Sequence, residues 1–276
     1  MNNKKKHEEI EVTEELMIKT LKRSGYLFEV EVARAFKLMA FFVTNNDVVH
    51  DERTGKSRDI DITANITNII GYAPHEDYIS TRVVCELKNN KFPLMLMSPV
   101  DKIEMERFNY IDTHYCSFEE TFTVMDSYHN YLEELLTTDG VKVFSQFCSF
   151  DIKNKSTNAE DFVANHPDGY YDGILKVCDF INADYNKMVS EGEDYVGKHF
   201  VTFVPALIIK NDLYEVEVIH DEIKLTKVKE AILRFNYFYL GEPKTSFIRV
   251  LNEEGLNNFA LRIYNYNQKI AELNKY

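Results

Sequence analysis

Positive charge is in short supply in this chain. Its 276 residues hold 32 lysines and arginines against 45 aspartates and glutamates, a formal net charge of −13. A tight binder of duplex DNA carries a basic patch that releases counterions from the phosphates. A uniformly basic binder is therefore excluded, and only local clusters remain: Lys4 to Lys6, Lys22 with Arg23, and Lys224, Lys227 and Lys229. Each is expected to be solvated surface. Long apolar runs are missing too, since none approaches the roughly 20 residues needed to cross a bilayer. The basic start MNNKKKHEEIEV lacks the apolar core and small-residue cleavage site of a signal peptide. The expected setting is the cytoplasm, with no membrane partner. The four cysteines, Cys85, Cys116, Cys148 and Cys178, form no C-x-x-C pair. That removes a zinc knuckle and fits buried, reduced thiols. Also absent are a complete G-x-x-x-x-G-K-S/T phosphate loop, a G-x-S-x-G elbow and an H-x-x-x-H pair.

What is present is periodicity. Residues 1–12 read as a flexible lead, and Thr13 to Lys22 as a short helix. In YLFEVEVARAFKLM, residues Phe28, Val32, Ala35, Phe36 and Met39 recur at helical spacing. FFVT and DVVH read as a strand, or two, broken at Asn45-Asn46, with Asp47 and Asp51 as solvated loop acids. RDIDITANI alternates strictly, placing Asp59, Asp61 and Thr63 on one face and Ile60, Ile62 and Ala64 on the other. RVVCELK is an apolar run ending in two charges, the look of a central strand emerging at an active-site edge.

The stretch 98–150 reads as an insertion, with a helix from Asp126 to Leu136 and the strand VKVFSQF. Thr157 and Glu160 have capping-box spacing. A long amphipathic helix from Asp168 runs through Tyr171, Ile174, Leu175, Cys178, Ile181, Tyr185 and Met188. The strand VTFVPALII follows, and Asn211-Asp212 is expected to turn it into LYEVEVI as a hairpin. Strands RFNYFYL and SFIRVL precede a final helix through Leu256, Phe259, Ile263 and Ile270. Without repeats or long linkers, this order predicts one mixed α/β domain over residues 13–276.

If the RDID and ELK strands are neighbours, chemistry follows from the pleat. Strands lie about 4.8 Å apart and i to i+2 spans about 6.6 Å. Asp61, Glu86 and Lys88 can then converge on a volume the size of a phosphate and its metal, with Val83, Cys85 and Leu87 pointing the other way. Mg²⁺ takes one or two carboxylates plus waters and substrate phosphate. Asp61 and Glu86 would supply the carboxylates, with the Leu87 backbone carbonyl beside them. Lys88 would orient a water and offset charge on the phosphorane. Glu-x-Lys by itself usually means an exposed ion pair; the helix, the alternating strand and the apolar strand in this order are more specific.

The segments GYLFE, SRDIDITA and VVCELKNNKFP together resemble the PD-(D/E)XK superfamily of restriction-endonuclease-like nucleases. The resemblance covers roughly residues 24 to 95. It is closest to members with a Gly-x-x-x-Glu helix, an Arg-Glu-Ile-Asp strand and a Glu-Cys-Lys strand followed by proline. It implies a mixed central sheet flanked by helices in the order α-β-β-β-α-β, here with additional strands and helices. It also implies Mg²⁺, with Mn²⁺ as a substitute, and DNA as substrate, cut to a 5′-phosphate and a 3′-hydroxyl. By resemblance Glu29 matches the helical glutamate, Asp61 the metal-binding aspartate, Glu86 and Lys88 the last motif, and Arg58 the arginine before the acidic pair. Asp59 stands where such members carry glutamate, and Leu87 where many carry cysteine. Helix phase alone does not choose between Glu29 and Glu31; the family pattern favours Glu29. Many such folds dimerise to cut both strands, so a homodimer is expected, with no interface legible here. Tyr170 and Tyr171, beside Gly169 and Gly173, are the aromatic pair proposed for substrate contact. The competing readings are a binding or scaffold protein that retains the fold, and an RNA-cleaving enzyme.

Overall fold

The computed structural model describes residues 12–51, 55–72, 75–100, 114–117, 141–152, 161–166, 168–191, 197–220 and 222–273. The expected helix from Asp126 to Leu136, the pair Thr157 and Glu160, and most of the N-terminal lead lie outside these residues.

Helix α1 (Glu14–Arg23) starts where Thr13 Oγ1 accepts the Leu16 N–H at 3.2 Å. Glu14 and Glu15 in its first turn and Lys22 and Arg23 in its last complement the helix dipole. Helix α2 (Tyr26–Leu38) buries Phe28, Val32, Ala33, Ala35 and Phe36, the face its periodicity predicts. It leads into three antiparallel strands, β1 (Phe42–Asp51), β2 (Lys56–Tyr72) and β3 (His75–Lys88). After these come β4 (Leu94–Pro99), β5 (His114–Cys116), β6 (Val143–Ile152) and β7 (Phe162–Asn165). Helix α3 (Asp168–Glu191) then crosses over to β8 (His199–Ile209), which pairs in parallel with β3 from Tyr78↔His199 to Lys88↔Ile209. The chain ends with β9 (Leu213–Ile219), β10 (Glu222–Val228), β11 (Glu230–Tyr239), β12 (Glu242–Asn252) and α4 (Leu256–Leu273).

The result is an α/β protein with one large mixed sheet flanked by helices, in the order β1-β2-β3-β8-β12-β11-β6-β4-β9-β10. β5 adds to β8 and β7 to β6. Strand parity divides the core. On one face α2 and α4 cover Ile62, Ala64, Val83, Cys85, Leu87, Ala206 and Ile208. On the other, α3 sets Tyr170, Ile174 and Cys178 against Leu207, Ile209, Leu233, Ile248 and Val250. Asn267 anchors α4, its buried amide donating to Thr81 Oγ1 at 3.0 Å and Ile79 O at 3.2 Å. Pro205, which has no N–H, falls in β8 between the stretch paired to β5 and the stretch paired to β12.

The expected β8–β9 hairpin does not form. β9 pairs instead with β10 and, in parallel, with β4, Leu94 opposite Leu213. Two turns cause this by lying side by side. The Asn211 N–H donates to Asn90 Oδ1 at 3.0 Å and its side-chain amide to Lys91 O at 2.9 Å. The chains leaving β3 and β8 therefore depart together. β1 is also continuous through Asn45 and Asn46, where a break was expected, and Asp47 and Asp51 belong to it rather than to a loop. Asp47 accepts a hydrogen bond from the Thr63 hydroxyl of β2.

Candidate active site

The C-terminal end of β3 and the middle of β2 carry the charged side chains. Pairing between the two strands stops at Ile62↔Cys85. The Leu87 N–H, beyond that point, would face the β2 side without a partner, and Asp61 Oδ2 accepts it at 2.7 Å. A strand residue points its N–H and C=O the same way, so the Leu87 carbonyl also faces this gap.

Strict alternation slips here. Ile60 packs with Val84 and Val177 under α3, while Ile62 and Ala64 lie on the opposite face. Asp61 also turns toward α3, where Lys176 sits. Opposite Asp61, Asn46 of β1 has φ 56°, a left-handed conformation that asparagine tolerates, and the ladder is interrupted there between Asn45↔Ile62 and Asp47↔Ile60 with its register kept. The expected placement of Ile60 with Ile62 and Ala64 is corrected accordingly.

Glu86 and Lys88 share the α3 face of β3, and Lys88 Nζ lies 2.7 Å from Glu86 Oε1. The other carboxylate oxygen meets a residue sequence reasoning missed. Lys176 of α3 stands 2.5 Å from Glu86 Oε2, an ion-pair contact off hydrogen-bonding angle, and 3.4 Å from Asp61 Oδ1. Glu86 is almost wholly buried, its side chain 6% exposed, and Lys176 is 14% exposed. Gly173, one turn before Lys176, makes room for this approach: a Cβ there would lie 2.7 Å from Glu86 Cγ and Oε1. Gly173→Ala should therefore push the carboxylate off its two lysines. The expected cost is about 1–3 kcal/mol from overpacking, read by urea denaturation. An unchanged midpoint would mean that Glu86 has slack the packing does not suggest.

Glu29 approaches from α2. Burial first, then the charges of Asp61 and Glu86, raise its carboxyl above the ordinary range, opposed by Lys176. Burial first, then Glu86, likewise raise Asp61, opposed by Lys176 and the Leu87 N–H. The sign follows. A raised carboxyl keeps its proton in the folded state where the unfolded chain has lost it, so its stabilisation is present at low pH and lost as pH rises through the raised value. Glu29→Gln should thus gain stability relative to wild type between about pH 4 and pH 7 in metal-free buffer. Thermal melts across that range test it, and a constant difference would refute the coupling. Glu31, the alternative in the helix, pairs instead with Lys210 at 3.7 Å.

The remaining expected residues are less central. Arg58 is half-buried opposite Val49, and Asp59 is exposed opposite Val48, on the β2 stretch before Asp61. Tyr170 and Tyr171 are packing residues. Tyr170 is buried among Ile174, Leu207 and Leu233, and the ring of Tyr171 packs against Phe235 at a tilt of 57°, with centroids 5.1 Å apart. Their expected substrate contact gives way to that packing. Cys85 and Cys178 are buried free thiols, and burial raises their pKa and keeps them protonated. Gly192 and Gly197-Lys198 have the spacing of the first part of a phosphate loop, but His199 follows and opens a strand. A phosphate loop needs serine or threonine there and a helix. A cavity of about 280 Å³ lies elsewhere, along Asn182, Tyr185, Phe203, Pro205, Tyr237 and Ser246. Within it Asn182 donates to Tyr237 Oη at 2.7 Å, and Tyr237 Oη lies 3.3 Å from Ser246 Oγ.

Among the described residues, no group of three or more His, Cys, Asp or Glu side chains is arranged to hold a metal. Two carboxylates beside a main-chain carbonyl nevertheless suit Mg²⁺, which keeps most of its waters. The Asp61 and Glu29 carboxyls, raised by burial and by neighbouring negative charge, are the ground a cation would stabilise, so the donor set fits one. Among the described residues no helix is long and apolar enough to span a membrane. Compared with protein-family models, curated proteins and solved structures, the chain matches none.

Proposed function

We propose that this chain is a divalent-metal-dependent nuclease with a restriction-endonuclease-like core, hydrolysing phosphodiester bonds in DNA. The observation that carries the reading is the meeting of Asp61, Glu86 and Lys88 where β2 and β3 part, with the Leu87 N–H fixing the aspartate. With β4 to β7 set aside as an insertion between β3 and α3, the elements α2, β1, β2, β3, α3 and β8 follow an α-β-β-β-α-β order with β8 parallel to β3, which supports the fold assignment. A bound divalent cation would polarise a phosphoryl oxygen and lower the pKa of a water.

The protein's own groups do the rest. Asp61 and Glu86 would hold the cation, with the Leu87 carbonyl facing the same gap. Lys88, a quarter exposed, orients the attacking water and offsets charge growing on the phosphorane. Glu29 adds negative charge from α2, and would reach a second cation through water if one bound. In-line attack leaves a 5′-phosphate and a 3′-hydroxyl. Lys210 Nζ pairs with Glu31 at 3.7 Å and Lys91 Nζ lies over the Phe92 ring, so Lys88 and Lys176 are the cations this acidic protein offers at the site itself. A role in DNA repair or in defence against foreign DNA follows from the fold family alone.

The test is incubation of plasmid, single-stranded DNA and RNA with and without Mg²⁺ or Mn²⁺. Metal-dependent cutting of DNA supports the reading, and cutting of RNA alone moves the substrate to RNA. Absence of both cutting and calorimetric metal binding leaves a binding protein that keeps the fold.

A further inference from the structure

We propose that Lys176 is a built-in counter-ion standing in the cation position, so that metal loading exchanges this side chain for the ion. The inference rests on the nuclease reading and adds how its site is regulated. Lys176 is the group that touches both proposed ligands, 2.5 Å from Glu86 Oε2 and 3.4 Å from Asp61 Oδ1. Among the described residues Lys88 pairs with Glu86 alone, through the other oxygen. The remaining oxygen, Asp61 Oδ2, is held by the Leu87 N–H. A cation bridging Asp61 and Glu86 therefore meets Lys176 first.

Placement on α3 makes the exchange feasible. Gly173, three residues earlier on the same helix face, carries no side chain to wall Lys176 in, and Glu86 fills the space a Cβ would take. The lysine ammonium is a compact charge on a flexible four-carbon stem, so it can swing to water without moving the helix. Charge explains why the lysine is there. Glu29, Asp61 and Glu86 against Lys88 and Lys176 leave the cluster one negative charge in excess. Without Lys176, Glu86 would be a nearly buried carboxylate with one partner, and such groups are costly unless neutralised. The lysine thus keeps the ion-free protein folded and makes the site weaker for metal than its carboxylates alone would be.

The experiment is calorimetric titration of the metal-free full chain with Mn²⁺, for wild type, Lys176→Met, Lys176→Gln and Lys88→Met. Both Lys176 variants are expected to bind Mn²⁺ about tenfold or more tightly than wild type, because a like charge leaves the ion's position. Lys88→Met removes one charge from the same cluster but not the occupant of the position, so its affinity gain is smaller. Thermal melts give a second readout: the Lys176 variants melt lower than wild type without metal and recover when saturated with Mn²⁺. The glutamine variant keeps a polar partner for Glu86 should the methionine variant fail to fold. Wild type that binds Mn²⁺ with no gain in either Lys176 variant overturns the exchange, as does an equal gain in Lys88→Met. If no protein in the set binds Mn²⁺, the metal-dependent reading of the site fails instead.

Discussion

Asp61→Asn and Lys88→Ala should each lower metal-dependent DNA cleavage by about three orders of magnitude or more, roughly 4 kcal/mol of barrier, with the fold intact. The asparagine is chosen for what it preserves. Its amide oxygen can still accept the Leu87 N–H that Asp61 takes at 2.7 Å, so the end of β3 stays capped. What disappears is the charge that a cation and Lys176 share. Lys88→Ala acts differently. It removes the ammonium 2.7 Å from Glu86 Oε1 but leaves Lys176 on the other oxygen, so Glu86 keeps a counter-charge. Metal affinity should therefore fall with Asp61→Asn and not with Lys88→Ala, although both lose rate. Cleavage assays beside Mn²⁺ titrations separate the two roles. Wild-type rates in both variants would place the chemistry elsewhere.

The sequence carried much of this site because strands of period two write their faces plainly. Ile62, Ala64, Val83, Cys85 and Leu87 lie on the α2–α4 face, and Glu86 and Lys88 opposite, as alternation requires. What alternation does not record is a residue that breaks it. Ile60 joins the α3 face beside the interruption of the ladder opposite Asn46, and a left-handed asparagine leaves no periodic trace. Long-range pairing was equally hidden. Asn211-Asp212 carries a turn signal, but its hydrogen bonds run to Asn90 and Lys91 in another turn, and that contact sends β9 to β4.

Lys176 was invisible for a third reason. On an amphipathic helix a lysine reads as solvent-facing, and the apolar stripe through Ile174, Cys178 and Ile181 seemed complete without its side of the helix. The signal lay in its neighbours. Gly173, Val177 and Phe180 occupy positions i−3, i+1 and i+4 from Lys176, which widens the buried arc to its edge. A lysine at the margin of an unusually wide apolar arc, one turn after a glycine, is placed to reach inward.

Removing Glu86 altogether should have the largest effect on stability. Glu86→Ala leaves Lys176, 14% exposed, without its nearest carboxylate, and breaking a buried pair from one side typically costs about 3–5 kcal/mol. The remaining contact to Asp61 at 3.4 Å puts the expectation at the lower end of that range. Glu86→Gln keeps the volume packed against Gly173 but loses the charge, so it should cost less than the alanine. The informative variant is the double one, Glu86→Met with Lys176→Met. An ion pair exchanged for apolar groups of similar size is often neutral or stabilising, because two desolvation costs vanish with one attraction. Urea denaturation of the four proteins in metal-free buffer should therefore place the double variant at or above wild type and Glu86→Ala well below it. A double variant as unstable as Glu86→Ala would mean that the pair is there to hold the fold. Recovery would mean that the fold tolerates losing it, and that two buried charges are kept at the parting of β2 and β3 for what they do to a cation and a phosphate.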